Sequence, residues 1–143
     1  MKNTAKTRSA WLLIPVLVIG FWSLVAHSAG TTEVASSEAI SGSDVNIITL
    51  IQTAFERLDI QFGEIQIDAS GYLTAPYSAL WYDQQGSTWV YVNPEPRVFM
   101  RDPVEVASII DGVALLTSGP AVGTQVVVLG VAELHGIESG VGH

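Results

Sequence analysis

The chain contains no cysteine. Disulfides, thiolate nucleophiles, cysteine-ligated zinc and lipid attachment through cysteine are therefore excluded. Basic residues are nearly as scarce: six Lys and Arg stand against fourteen Asp and Glu. Lys2, Lys6 and Arg8 are half of the basic set, so beyond residue 30 only Arg57, Arg97 and Arg101 face all the acids. A folded part this acidic repels nucleic-acid phosphates. It also has no positive surface with which to hold anionic lipid. No nucleophile-elbow, Walker or dinucleotide-binding pattern occurs. Gly119-Pro120-Ala121-Val122-Gly123 has no following Lys or helix and reads as a turn. The three histidines are His27, His135 and His143. Glu133, His135, Glu138 and His143 match no metal-ligand spacing. No acid–base pair with a defensible geometry emerges, so the sequence predicts neither an enzyme, a metal site nor a cofactor.

What is present begins with a leader. The basic start is followed by an apolar run from Ala10 to Ala26. This run sits near the lower limit for a helix crossing a bilayer core of about 30 Å. It is also longer than the usual apolar part of a signal peptide, about 7–15 residues. Ala26-His27-Ser28 has the small-x-small form that allows cleavage. An uncleaved anchor and a cleaved signal both remain open over residues 1–30. Both leave the basic end in the cytoplasm and export the remainder. The expected location is the cell envelope, either anchored in the inner membrane facing the periplasm or free in the periplasm.

Residues 31–44 are small and polar and read as a flexible linker. Residues 45–143 read as one folded domain, with Val45–Ile48 a β-prone opening. Thr49 stands three residues before Gln52, which predicts a capping box. Leu50, Ala54, Phe55 and Leu58 then predict a short helix closed by Asp59. The rest reads as strands. Ile65 and Ile67 share one side of a segment that ends at Ala69-Ser70-Gly71, and Tyr72–Ala75 runs into Pro76. Ala79–Val92 is a hairpin, with Trp81 and Tyr82 on one arm, Trp89 and Tyr91 on the other, and a polar turn carrying Gly86. Asn93-Pro94-Glu95-Pro96 breaks it. Arg97–Met100 and Val104–Ile110 make one long or interrupted strand. Asp111-Gly112 is a strong two-residue turn signal, answered by Val113–Thr117. Gln125–Leu129 is a continuous apolar strand, Val131–His135 a short helical turn and Gly136–His143 a loose tail.

The fold class that follows is mainly β: a small β-sandwich or rolled sheet of about seven short strands with one short helix, preceded by the N-terminal hydrophobic helix. The hairpin aromatics are expected in its core, because each buried ring removes about 150–250 Å² from water. The alternative is that Trp81 and Trp89 stay exposed and bind a sugar or peptide.

Several stretches carry a resemblance. They are Pro76-Tyr77-Ser78-Ala79-Leu80-Trp81-Tyr82-Asp83, Gly86-Ser87-Thr88-Trp89-Val90-Tyr91, Phe99-Met100-Arg101-Asp102-Pro103-Val104-Glu105-Val106 and Leu116–Val127. Gly130-Val131-Ala132-Glu133-Leu134 continues it, and Ala54–Ile60 looks like the short helix that precedes the domain. Over residues 45–143 the chain resembles the C-terminal membrane-proximal domain of periplasmic adaptor subunits, the HlyD-type membrane fusion proteins of tripartite efflux systems. The resemblance implies a β domain that docks on an inner-membrane transporter or efflux assembly and has no catalytic residues. Asn93, Glu95, Arg97, Arg101 and Asp102 are the candidate docking positions. Full adaptors also carry a helical hairpin, a lipoyl-like domain and a β-barrel domain. This sequence has no room for them between residues 30 and 45, which implies an accessory or truncated subunit.

Overall fold

The computed structural model describes residues 34–140. The leader predicted over residues 1–30, with its apolar run 10–26, lies outside the described residues. Among the described residues no helix is long and apolar enough to cross a membrane.

The chain is mainly β. β1 (Ala35–Ala39) and β2 (Asn46–Leu50) form a hairpin, followed by helix α1 (Gln52–Leu58). Then come β3 (Gln61–Glu64), β4 (Gln66–Ile67), β5 (Leu73–Pro76) and β6 (Trp81–Tyr82). β7 (Thr88–Glu95), β8 (Val98–Ile110), β9 (Val113–Ser118) and β10 (Gln125–Leu129) complete the sheet, and α2 (Val131–Glu138) packs on it. The main path runs β3-β10-β7-β8-β9-β5-β4, with β2 pairing β8 and β6 pairing β7 at its sides. The path has the number of strands the sequence anticipates, but not one for one: the segment 62–68 divides into β3 and β4 at Ile65, and the Trp81–Tyr82 arm lies off the path as β6. Its two outer members, β3 and β4, are separated in sequence only by Ile65. The sheet therefore curls until its ends nearly meet. At that seam Gly63 permits the approach, since a Cβ there would lie 2.9 Å from Pro76 Cγ.

Two apolar clusters hold the sheet from opposite sides. Inside the curl lie Ile65, Ala75, Leu80, Val90, Val92, Val104, Leu116 and Val126. Outside it, under the helices and the β1–β2 hairpin, lie Ile48, Leu50, Tyr91, Phe99, Val127 and Leu134. Successive strand residues face opposite sides, so Val90, Tyr91 and Val92 are all buried because β7 is covered on both faces. β10 does the same with Val126 and Val127.

Several expectations are corrected. Residues 31–44 are not all linker, because Ala35–Ala39 pairs in register with Asn46–Leu50. The capping box does not form. Thr49 is held in β2, opposite Ser36 and Val98, and Ile51 becomes the N-cap with no side-chain cap. Gln52 instead donates to Glu56 at 2.7 Å. Ile65 is buried whereas Ile67 is exposed, because the chain crosses between sheet edges at that point. β7 continues through Pro94 to Glu95, and Pro103 pairs with Trp89 within an unbroken β8. The C-terminal helix extends to Glu138, so Gly136–Glu138 is helical and not loose. Asp59 does close α1, in the left-handed conformation.

The entry to α2 provides a stability prediction. Gly130 has φ +98, and a Cβ there would meet Ile60 Cγ1 at 2.9 Å. Ile60 is part of the outer core. Left-handed strain alone is worth about 1–2 kcal/mol, and crowding a packed core adds to it. Gly130→Ala is therefore expected to destabilise the domain by at least that amount, read as a lower urea unfolding midpoint with the slope unchanged.

Candidate functional site

The aromatic hairpin builds the first candidate site. Trp81 and Trp89 are direct cross-strand partners of β6 and β7 and so lie side by side on one face. Asp83 organises the turn between them. Its Oδ1 accepts the backbone N–H groups of Gln85 (2.9 Å) and Ser87 (2.8 Å), and its Oδ2 accepts Trp89 Nε1–H at 3.0 Å. The indole donor above all, and the two amides after it, hold the Asp83 carboxyl below the ordinary aspartate range. A lowered folded-state pKa contributes stability that is present above the unfolded value and is lost as pH falls through the folded one. Asp83→Asn is thus expected to lower the melting temperature at neutral pH. The gap from the parent should shrink once pH drops below about 4, the unfolded aspartate value, in a thermal-unfolding series against pH.

The two tryptophans are not the inward-pointing core the sequence predicts. Both are only half-buried, and Tyr82 is exposed. Tyr91 alone of the hairpin aromatics is fully buried, and the large rings of the core are otherwise phenylalanines. Phe55, Phe62 and Phe99 stack on one another with centroids 6.3–6.5 Å apart. The reason is strand parity. Trp89 and Tyr91 share the outer face of β7, and α2 covers that face over Tyr91 but reaches Trp81 only through His135. The imidazole and indole centroids there are 4.3 Å apart.

Beneath this edge α2 is fastened by a buried polar knot. Glu138 accepts Arg101 Nε–H at 2.8 Å and the Tyr91 hydroxyl at 2.6 Å, and its Oε1 accepts Asn46 N–H at 3.3 Å. Arg101 also donates to the Asp44 carbonyl at 2.7 Å and lies 4.7 Å over the Trp89 ring. Burial first, then the bond to Glu138, push the Tyr91 phenol well above its ordinary value. The hydroxyl therefore stays protonated and keeps donating. Between the hairpin and α2 opens a cleft of about 400 Å³, lined by Asp44, Trp81, Asp83, Gln84, Gln85 and Arg101, among others.

The five docking positions do not share one surface. Asn93 braces the β7–β8 turn by donating to the Glu95 and Val98 carbonyls at 2.6 and 2.7 Å. Arg97, at φ 64, donates to the Leu50 carbonyl at 3.3 Å. Arg101 belongs to the knot under α2. Asp102 stands opposite Val90, and burial raises its carboxyl above the ordinary value. Asn93, Glu95 and Arg97 are thus together at one turn, and Arg101 and Asp102 project from opposite faces of β8.

An exposed apolar group lies elsewhere, unpredicted by the sequence reading. At the β8–β9 turn, the cross-strand partners Ile110 (56% exposed) and Val113 (41%) share one face near Tyr77 (49%), while Ile109 (44%) projects from the other face of β8. Val113 pairs with both Ile110 and Pro76, and Tyr77 N–H donates to the Gly112 carbonyl at 2.8 Å. A groove of about 320 Å³ runs alongside, lined by Gly63, Glu64, Thr74, Pro76 and Val113, among others. The available signal was the run Ile109-Ile110-Asp111-Gly112-Val113, where apolar residues crowd a two-residue turn that is ordinarily polar.

Of the C-terminal acids and histidines, Glu138 is committed to the knot, Glu133 is exposed and His143 lies outside the described residues. Among the described residues no group of three His, Asp or Glu is arranged to hold a metal ion. No family model, no curated protein and no solved structure matches this chain.

Proposed function

We propose that the domain is a non-catalytic docking module that binds a membrane transporter or efflux assembly as an accessory or truncated subunit. The observation that carries this reading is the exposed apolar end of the β8–β9 hairpin with Tyr77 beside it. Contiguous exposed apolar side chains rimmed by polar groups mark interaction surfaces. The occupant is a protein surface, apolar at its centre and basic at its rim. The domain's own charge argues for it, since only three bases oppose fourteen acids beyond residue 30. The same charge disfavours an anionic lipid surface. The basic start and apolar run 10–26 support export and a place in the envelope, and the resemblance over residues 45–143 supports an inner-membrane transporter as the partner. The docking role moves from Asn93, Glu95, Arg97, Arg101 and Asp102 to the hairpin end, because Asn93, Arg97 and Arg101 already hold turns and helices of their own chain.

The test is purification of the tagged full chain from solubilised membranes, beside a variant carrying Ile110→Asp and Val113→Asp. The expected result is one integral membrane transporter, stoichiometric with the parent chain and absent from the variant. A solitary chain, or equal recovery by both, contradicts the reading.

A further inference from the structure

We propose that the outer edge of β1 pairs with the same edge of a second copy of this chain, making one sheet continuous across a two-fold dimer. β1 hydrogen-bonds to β2, and among the described residues no strand lies on its other side. The register shows which of its backbone groups face outward. At the two ends of the β1–β2 ladder, Ile51 N–H donates to the Val34 carbonyl at 3.3 Å and Ile40 N–H to the Val45 carbonyl at 3.2 Å. Inward-bonded residues alternate along an antiparallel strand, and this ladder has no bulge. Ser36 and Glu38 therefore also bond toward β2, and the N–H and C=O groups of Ala35, Ser37 and Ala39 point outward. Ser37 and Ala39 are exposed. Proteins blunt such edges with proline, lysine or bulges, and β1 has none of these. The edge shares no residue with the apolar hairpin end, so it stands independently of the docking reading.

The pattern of the strand selects the occupant. A foreign strand is recognised at a sheet edge through pockets for alternate side chains, and the alternate positions here supply only the small groups of Ala35, Ser37 and Ala39. A second copy needs no pocket. Turned antiparallel about Ser37, it sets Ser37 against Ser37 and Ala35 against Ala39, so every outward N–H meets an outward C=O. At the intervening positions Glu38 falls opposite Ser36, whose hydroxyl can donate to the carboxylate. Glu38 is the one charged residue of β1, so this register sets no like charges directly opposite each other. Charge elsewhere opposes the pairing, since each copy carries three bases against fourteen acids beyond residue 30. The dimer is therefore weak at low ionic strength and tightens as salt screens the repulsion.

The chain has no cysteine, so single cysteines report the register in the full chain. Ser37→Cys places two thiols at the two-fold axis, where the Cα atoms of a hydrogen-bonded pair lie about 5.5 Å apart, within disulfide reach. Glu38→Cys places them on a diagonal of about 7–8 Å, beyond that reach. Ser70→Cys, exposed on the β4–β5 turn, reports random collision. Under mild oxidation of solubilised membranes, Ser37→Cys is expected to cross-link at least tenfold faster than either control, and faster still with added salt. Sedimentation of the cysteine-free chain is expected to show a monomer–dimer equilibrium. Ser37→Pro removes an outward N–H and no β1–β2 bond, and an edge strand tolerates proline at such a position. It is expected to stay monomeric over the same concentrations while unfolding at the parental temperature. Three results overturn the proposal: a parent chain that is monomeric throughout, a dimer that persists in Ser37→Pro, or equal cross-linking from all three cysteines. Transporter capture is read separately, with Ser37→Pro expected to retain it.

Discussion

Glu138→Ala is expected to lower the stability of the domain by about 3–5 kcal/mol, the range found when one partner of a buried ion pair is deleted. The carboxylate side chain is 4% exposed and its partner Arg101 14%. Alanine would leave the guanidinium unpaired beside the sheet, with the Tyr91 hydroxyl and Asn46 N–H short of an acceptor. Urea unfolding should show the midpoint falling with little change in slope. A double variant, Arg101→Met with Glu138→Leu, separates loss of a pair from loss of packing. Exchanging both charges for apolar groups of similar size is often neutral or stabilising. The pair should recover much of the loss, though not the part owed to Tyr91. If Glu138→Ala unfolds at the parental urea concentration, α2 is not fastened by this knot.

The second large effect concerns binding. Ile110→Asp with Val113→Asp is expected to weaken capture of the membrane partner by about thirtyfold or more. This corresponds to the loss of at least about 2 kcal/mol that defines an interface hot spot. Ile110 is 56% and Val113 41% exposed, and they are cross-strand partners, so paired aspartates repel each other and the melting temperature should fall by about 4–8 °C, a loss of about 1 kcal/mol, with unfolding still cooperative. Titration of the detergent-solubilised partner gives the affinity, and calorimetry gives the control. Unfolding at or below the temperature of the binding assay would assign the effect to folding.

The turns of this fold are legible because their chemistry is local. Asp111 and Gly112 both take positive φ, 49 and 78, as a two-residue hairpin turn requires. The turns at Asp68 and Asp83 are near copies, each carboxylate accepting the N–H groups two and four residues on. The shared Asp-x-x-Gly spacing is a signal the sequence reading left unused. β10 matches its predicted span, Gln125–Leu129, because a continuous apolar run fits a strand buried on both faces. β1 was not legible. Ala35-Ser36-Ser37-Glu38-Ala39 buries little, and backbone pairing with β2 alone makes it a strand. Nor was the knot under α2, since a lone Glu among glycines reads as solvated until Arg101, 37 residues away in sequence, is brought beside it. The Trp pair was misplaced for a related reason. Alternation shows that Trp89 and Val90 face opposite ways, but not which face the curl encloses.

The central claim, that the chain docks through the β8–β9 end, is tested most directly by a photo-crosslinking side chain placed at position 110 and, separately, at position 97 of the full chain in intact membranes. The account predicts a crosslink from position 110 to one membrane transporter and none from position 97. A crosslink to that transporter from position 97 alone, or from neither position, would contradict it.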